Sequence, residues 1–118
     1  MSDFKNGDIV SYPVNEGTKS ERLTLGRLSG TGSNFWITGP EISSVVNDLS
    51  KCTLIAHKSK RADKIYKRFE EQMDKVSIEE HGFDVYESVA SLAYERYTRK
   101  MFDLDEWGNS HEWRFYSL

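Results

Sequence analysis

The stretch GRLSGTGSNFWITGPE, residues 26–41, sets Gly26, Gly30, Gly32, Gly39 and Pro40 around the aromatic pair Phe35–Trp36. Glycine this dense serves either a phosphate-binding loop or a tight turn. A phosphate loop needs glycines that open a helix, because the amides and dipole of the helix N-terminus hold the anion. Here the glycines run into Phe35, Trp36, Ile37 and Thr38, which are poor helix starters and good strand formers. No Gly-Lys-Ser or Gly-Lys-Thr is present, and the GxG at 30–32 is not completed by a third glycine three residues on. The stretch therefore reads as a hairpin whose glycines supply the positive φ that such loops require.

Short strands flank it. GDIVSYPV, residues 7–14, alternates Ile9, Ser11 and Pro13 on one side with Asp8, Val10 and Tyr12 on the other, and Pro13 suits an edge or a strand end. NEGTKSE, residues 15–21, is polar and without periodicity, the composition of a mobile connecting loop. RLTLGRLSG follows as a second strand, with Leu23, Leu25 and Leu28 as inward candidates and Gly26 marking a bulge or a close backbone approach. NFWIT is the third strand, Ile42 to Val46 the fourth, and Lys51 to Ala56 the fifth, with a tight or 3₁₀ turn over Asn47–Ser50.

This order of GDIVSY, polar loop, LGRLSG, glycine hairpin, FWIT, a fourth strand and DLSKCTLI resembles SH3-like small barrels, including Tudor-like and KOW-like members, over about residues 5–56. The resemblance implies a five-stranded barrel with a single helical turn before the last strand, where NDLSK stands. The paired tyrosines of signalling SH3 domains have no match at Ser11 and Tyr12, so no proline-peptide site is carried over.

From Ser59 the apolar period changes to 3.6. Ala62, Ile65, Tyr66, Phe69, Met73 and Val76 share one helical face, while Lys60, Arg61, Lys64, Lys67, Arg68 and Lys75 take the other. Glu70, Glu71 and Asp74 interrupt that basic face at spacings suited to local ion pairs. Ser77 and Glu80 have capping-box spacing and Gly82 is a helix stop, which leaves open whether the first helix breaks near Ser77 or runs on through His81. A second helix is expected over Val85–Phe102, with an apolar arc wide enough to contact both its partner helix and the barrel. The tail, DLDEWGNSHEWRFYSL, reads as an aromatic hairpin turning at Gly108–Ser110. Trp113 and Phe115 are expected to dock on the chain itself, and Trp107 and Tyr116 on a partner.

The expected fold class is α+β: an SH3-like five-stranded small barrel packed on two helices and an aromatic C-terminal hairpin. A chain of 118 residues suits one domain, with 5–56, 59–102 and 103–118 as its subregions. Its hydrophobic content of 37% and charged content of 30% are those of a globular protein, and no apolar run approaches the length of a membrane span. The opening residues Met1–Asp8 have no signal-peptide pattern, and one cysteine cannot make an internal disulfide, so a cytoplasmic location is expected. The net charge of −3 divides unevenly: net −1 over residues 1–56, net +3 over 57–77 and net −5 over 78–118. Such a balance argues against a general salt-driven nucleic-acid binder and leaves room for one local anionic contact.

Chemistry-bearing patterns are sparse. His57, His81 and His111 lie 24 and 30 residues apart, outside any zinc spacing, and Asp103, Asp105 and Glu106 lack the twelve-residue calcium pattern. Glu79 and Glu80 diverge by about 100° on a helix. Cys52 reads as a small buried residue, since no motif sets a His or Asn around it. No metal, cofactor or catalytic residue is expected, and a non-enzymatic protein-interaction module is. Its candidate residues are Tyr12, Phe35, Trp36, Trp107 and Tyr116, with one of Phe35 and Trp36 facing outward near Tyr12. Fold-level analogy suggests an accessory or inhibitory factor, of the kind phages use to bind a host enzyme. The alternative is nucleic-acid binding through Lys60, Arg61, Lys64, Lys67 and Arg68, with Trp36 as a stacking platform.

Overall fold

A computed structural model describes residues 4–31 and 34–102. The expected hairpin over 103–118 therefore lies outside the described residues. Five strands come first: β1 (Ile9–Val14), β2 (Arg22–Thr31), β3 (Asn34–Gly39), β4 (Ile42–Val46) and β5 (Thr53–Ala56), with a 3₁₀ turn at Leu49–Lys51. Three helices follow: α1 (Lys60–Asp74), α2 (Ile78–His81) and α3 (Phe83–Phe102). The strands pair antiparallel in the order β4-β3-β2-β1-β5. β4 and β5 are the two edges, so the class is α+β and the sheet is open rather than plainly closed into the expected barrel.

Local chemistry sets these elements. Thr31 pairs with Asn34, so the glycine stretch turns one strand into the next instead of opening a helix. Gly30 supplies the conformation, at φ +122°. At Gly26 the expected close approach is found: a Cβ there would lie 2.6 Å from Ile37 Cγ1, and the irregular pairing falls elsewhere, between Ile9 and Val10 against β5. The Asp48 carboxylate accepts from the Ser50 amide at 3.0 Å and starts the 3₁₀ turn. The polar loop after β1 is held by its own bonds, the Thr18 hydroxyl donating to the Asn15 carbonyl at 2.6 Å. Ser59 caps α1 by accepting from the Ala62 amide at 3.0 Å. The open question at Ser77 resolves as a break: α1 ends at Asp74, Ser77 caps the short α2, and Gly82 at φ +83° ends it.

Each face of the sheet carries a core. On one, Ile9, Leu25 and Ile55 pack with Ala62, Tyr66, Phe69 and Met73 of α1 and Ala90, Ala93, Tyr97 and Met101 of α3. On the other, Val10, Leu28, Phe35, Ile37, Val46 and Cys52 form a second core that draws on no helix of the α type. Neighbours on β1 thus point into different cores, as strand alternation requires. Leu25 and Leu28 are inward as expected, one on each face, whereas Leu23 is exposed. α3 touches α1, β2 and β5, matching its wide apolar arc. Arg27 ties sheet to helix: its guanidinium donates to the Gly7 carbonyl at 2.8 Å, pairs with Asp63 at 2.9 Å and stands over the Tyr66 ring.

A methyl group at Gly30 would collide with the Asn34 carbonyl oxygen at a φ that L side chains rarely adopt. Gly30→Ala should therefore lower the unfolding free energy by about 2 kcal/mol or more, read as the urea midpoint, with an unchanged midpoint counting against this turn.

Candidate functional site

The expected aromatic surface takes form at β3. Phe35 is 3% exposed and sits in the second core, while Trp36, the next residue, is 42% exposed. Its cross-strand neighbours are Val45 on β4 and Ser29 on β2. Val45 is also exposed, so the pair forms an apolar patch on the sheet face that α1 and α3 cover further along. Tyr66 marks the limit of that cover, donating from its hydroxyl to the Thr38 carbonyl at 3.2 Å. Tyr12 is not part of this patch. Its register with Thr24 and its packing beside Phe4, Ile42 and Leu49 place it with the second core, on the opposite face from Trp36. Trp107 and Tyr116 lie outside the described residues.

A buried ion pair holds the hairpin that carries the patch. Glu41, in the turn between β3 and β4, takes a bidentate grip from Arg22, with Nη1 donating to Oε2 at 2.8 Å and Nη2 to Oε1. Thr24 donates its hydroxyl to the same carboxylate at 2.6 Å, and Arg22 stands over the ring of Tyr86 of α3. Burial pushes the Glu41 carboxyl up, but the hydrogen bonds from Arg22 and Thr24 and the adjacent guanidinium charge prevail and hold it below the ordinary carboxylate range. Arg22 and Glu41 are nineteen positions apart, and neither sits in a pattern that would announce the pair.

The expected basic face of α1 divides. Arg61 is half-buried and donates to the carbonyls of Lys100 and Met101, capping the C-terminus of α3, so it is bound to its own fold. Lys60, Lys64, Lys67 and Arg68 are exposed. The ion pairs expected with Glu70, Glu71 and Asp74 do not form; these four cations meet no carboxylate of the described residues. Arg61, near the start of α1, meets the last residues of α3, so the two helices run antiparallel, and Arg68 of α1 lies near enough to Lys100 for their charges to interact. Burial, then the charges of Arg96 and Arg68, hold the Lys100 ammonium below its ordinary value. Beside this cluster opens a pocket of about 220 Å³ lined by Gln72, Val89, Leu92, Ala93, Arg96 and Tyr97. Leu92, at the pocket, is 66% exposed.

Other reactive groups are committed locally. Burial pushes the Cys52 thiol up to about 11, an inert thiol at neutral pH. His57 Nδ1 lies 3.0 Å from Oδ1 of the buried Asp8, whose other oxygen accepts from the Lys5 amide, so this pair fastens the start of β1 to the chain leaving β5. Among the described residues there is no cluster of three or more His, Cys, Asp or Glu able to hold a metal, and no helix long and apolar enough to cross a membrane. Comparison with protein-family models, curated proteins and solved structures finds no match to this chain.

Glu41→Gln leaves Arg22 without its charge partner and should cost about 3 kcal/mol at neutral pH. Because the folded carboxyl titrates below its unfolded value, this contribution is complete above the unfolded pKa and is lost as pH falls through the folded one. Urea unfolding of the two proteins should give a stability gap that is constant from pH 7 to about pH 5.5 and narrows below about pH 4.5; a pH-independent gap would mean that the charge of Glu41 contributes nothing.

Proposed function

We propose that this chain is a non-enzymatic protein-interaction module with an SH3-like arrangement of strands, acting as an accessory or inhibitory factor on another protein. The reading rests on the Trp36–Val45 patch. A tryptophan and a valine stand exposed side by side on neighbouring strands, and aromatic anchors of this kind dominate protein interfaces. The hairpin beneath them is fixed by Phe35 in the core and by the Arg22–Glu41 pair at its turn, so little ordering entropy opposes binding. The SH3-like part of the reading is supported by the strand order, by the 3₁₀ turn between β4 and β5, and by a core on one face built without α-helices.

A second reading, nucleic-acid binding, has one observation in its favour: Lys60, Lys64, Lys67 and Arg68 meet no carboxylate of the described residues. Arg61 is not available to it in the way the sequence suggested.

The two readings part in one affinity experiment. A partner isolated from lysate with the tagged chain should bind Trp36→Ala or Val45→Glu at least about 30-fold more weakly, the loss of an anchor of about 2 kcal/mol. The same partner should bind Lys64→Glu/Arg68→Glu normally. Loss through the double charge reversal alone, with oligonucleotide binding that weakens steeply as salt rises, would transfer the function to α1.

A further inference from the structure

The sheet has two open edges, and they are guarded differently. β5 offers four residues, and Lys51 before it and Lys58 after it are the kind of charges that discourage one sheet edge from pairing with another. β4 reads Ile42, Ser43, Ser44, Val45, Val46, five residues with no charge, no proline and an unbroken register against β3. Among the described residues no strand lies on its outer side.

The register fixes which backbone groups that edge presents. Only Pro40 and Glu41 separate the closing pair Gly39–Ile42, so that pair exchanges its backbone bonds, and Ile37–Ser44 and Phe35–Val46 repeat the pattern at every second residue. Ser43 and Val45 therefore turn N–H and C=O away from β3, each presenting a donor and an acceptor. Both residues are exposed, Val45 at 51%. The side chains of Ser43 and Val45 lie on the Trp36 face, and those of Ile42, Ser44 and Val46 on the face of the second core.

We propose that β4 pairs antiparallel with β4 of a second copy of this chain, joining two sheets into one across a two-fold axis at Ser44. Outward groups bond only outward groups, so Ser43 of one copy exchanges backbone bonds with Val45 of the other, and the reverse pair follows by symmetry. This register leaves no residue of β4 unpaired: Ile42 meets Val46 of the other copy, and Ser44 meets its own counterpart. A charged strand would repel its copy across such an axis, and β4 has no charge. Just beyond its ends, Glu41, whose carboxylate Arg22 holds, falls opposite the neutral Asn47 of the other copy. On the second-core face Ile42 of each copy packs beside Val46 of the other, with only the small serine pair between them, so the strand is complementary to itself. On the other face the two Val45 side chains come diagonally together, within about 7–8 Å, and merge the two Trp36–Val45 patches into one apolar strip. The pairing uses main-chain groups and does not require Trp36 to anchor another protein. A five-residue edge buries less than a standard interface, so the dimer is weak and dissociates on dilution.

Sedimentation of the full chain should show a mass that rises from monomer toward dimer as concentration increases. In step with it, the amides of Ser43 and Val45 should pass from fast to protected hydrogen exchange, while those of Ser44 and Val46 stay protected at every dilution. Ser43→Pro removes an outward N–H and no bond to β3, so it should keep the circular dichroism spectrum and lose the dimer. The facing Ser44 residues form a non-hydrogen-bonded pair with Cα atoms about 4.5 Å apart, within the reach of a disulfide. Ser44→Cys should therefore oxidise to a covalent dimer in the time that Ser43→Cys, at the more exposed position, stays reduced. The exchange and cysteine readouts hold even where the proline variant does not fold. A chain that keeps the monomer mass at every concentration overturns the proposal, as does a dimer that Ser43→Pro leaves intact, or a Ser44→Cys thiol that oxidises no faster than that of Ser43→Cys. Protection of the Ser43 and Val45 amides in a monomer overturns it in favour of an edge covered from within the chain. Protection that appears only when another protein is added overturns it in favour of strand addition by that protein.

Discussion

The structure depends on β1 being buried on both of its faces. Ile9 enters the core shared with α1 and α3, and Val10, one residue on, enters the core formed by the strands alone. Full burial of side chains this size is worth about 2 kcal/mol each, and neither core can be lost without exposing its half of the same strand. The pairing of β1 with β2 and β5 places Leu25 and Ile55 beside Ile9, and Phe69 of α1 closes that core. β1 is thus the shared wall that fixes the helices relative to the sheet.

The surfaces available for recognition follow from where this wall ends. The helices lie over β1, β2 and β5 and stop at Tyr66, leaving Trp36 and Val45 uncovered on the same face. Phe35 cannot share that exposure, because alternation sends it to the opposite face, where it anchors the hairpin. The Arg22–Glu41 pair then fixes the turn of that hairpin against β2 and α3. On the far side, Arg61 bonds the last carbonyls of α3 and so ties the start of α1 to the end of that helix.

Much of this was legible in the residues, and the parts that were not share one cause. Strand-forming residues after the glycines were enough to reject a phosphate loop, and the 3.6 period of Ala62, Tyr66, Phe69 and Met73 picked out the buried face of α1. Two adjacent large aromatics on a strand required one inward and one outward. Which one turned inward depended on the register with Val46 and Val45, which lie ten or so positions further along the chain. Tyr12 was misplaced for the same reason, since alternation along β1 gives its face only relative to Val10, not relative to Trp36. Leu23 was expected inward from its spacing with Leu25, yet it stands exposed. Local spacing also suggested ion pairs on α1 that are not made, while Arg61 bonds forty positions away. Long-range pairing decided each of these outcomes, and single-sequence periodicity carries no information about it.

Native-state amide hydrogen exchange measures the shared wall directly, because it reports the free energy at which each segment opens. If β1 couples the two cores, the amides of Ile9, Val10 and Ser11 and those of Ala90 and Ala93 in α3 will exchange only through global unfolding, with the same free energy and the same denaturant dependence. If α1 and α3 open at a clearly lower free energy while β1 stays protected, the helices are an appendage and the two-faced strand is not what holds this protein together.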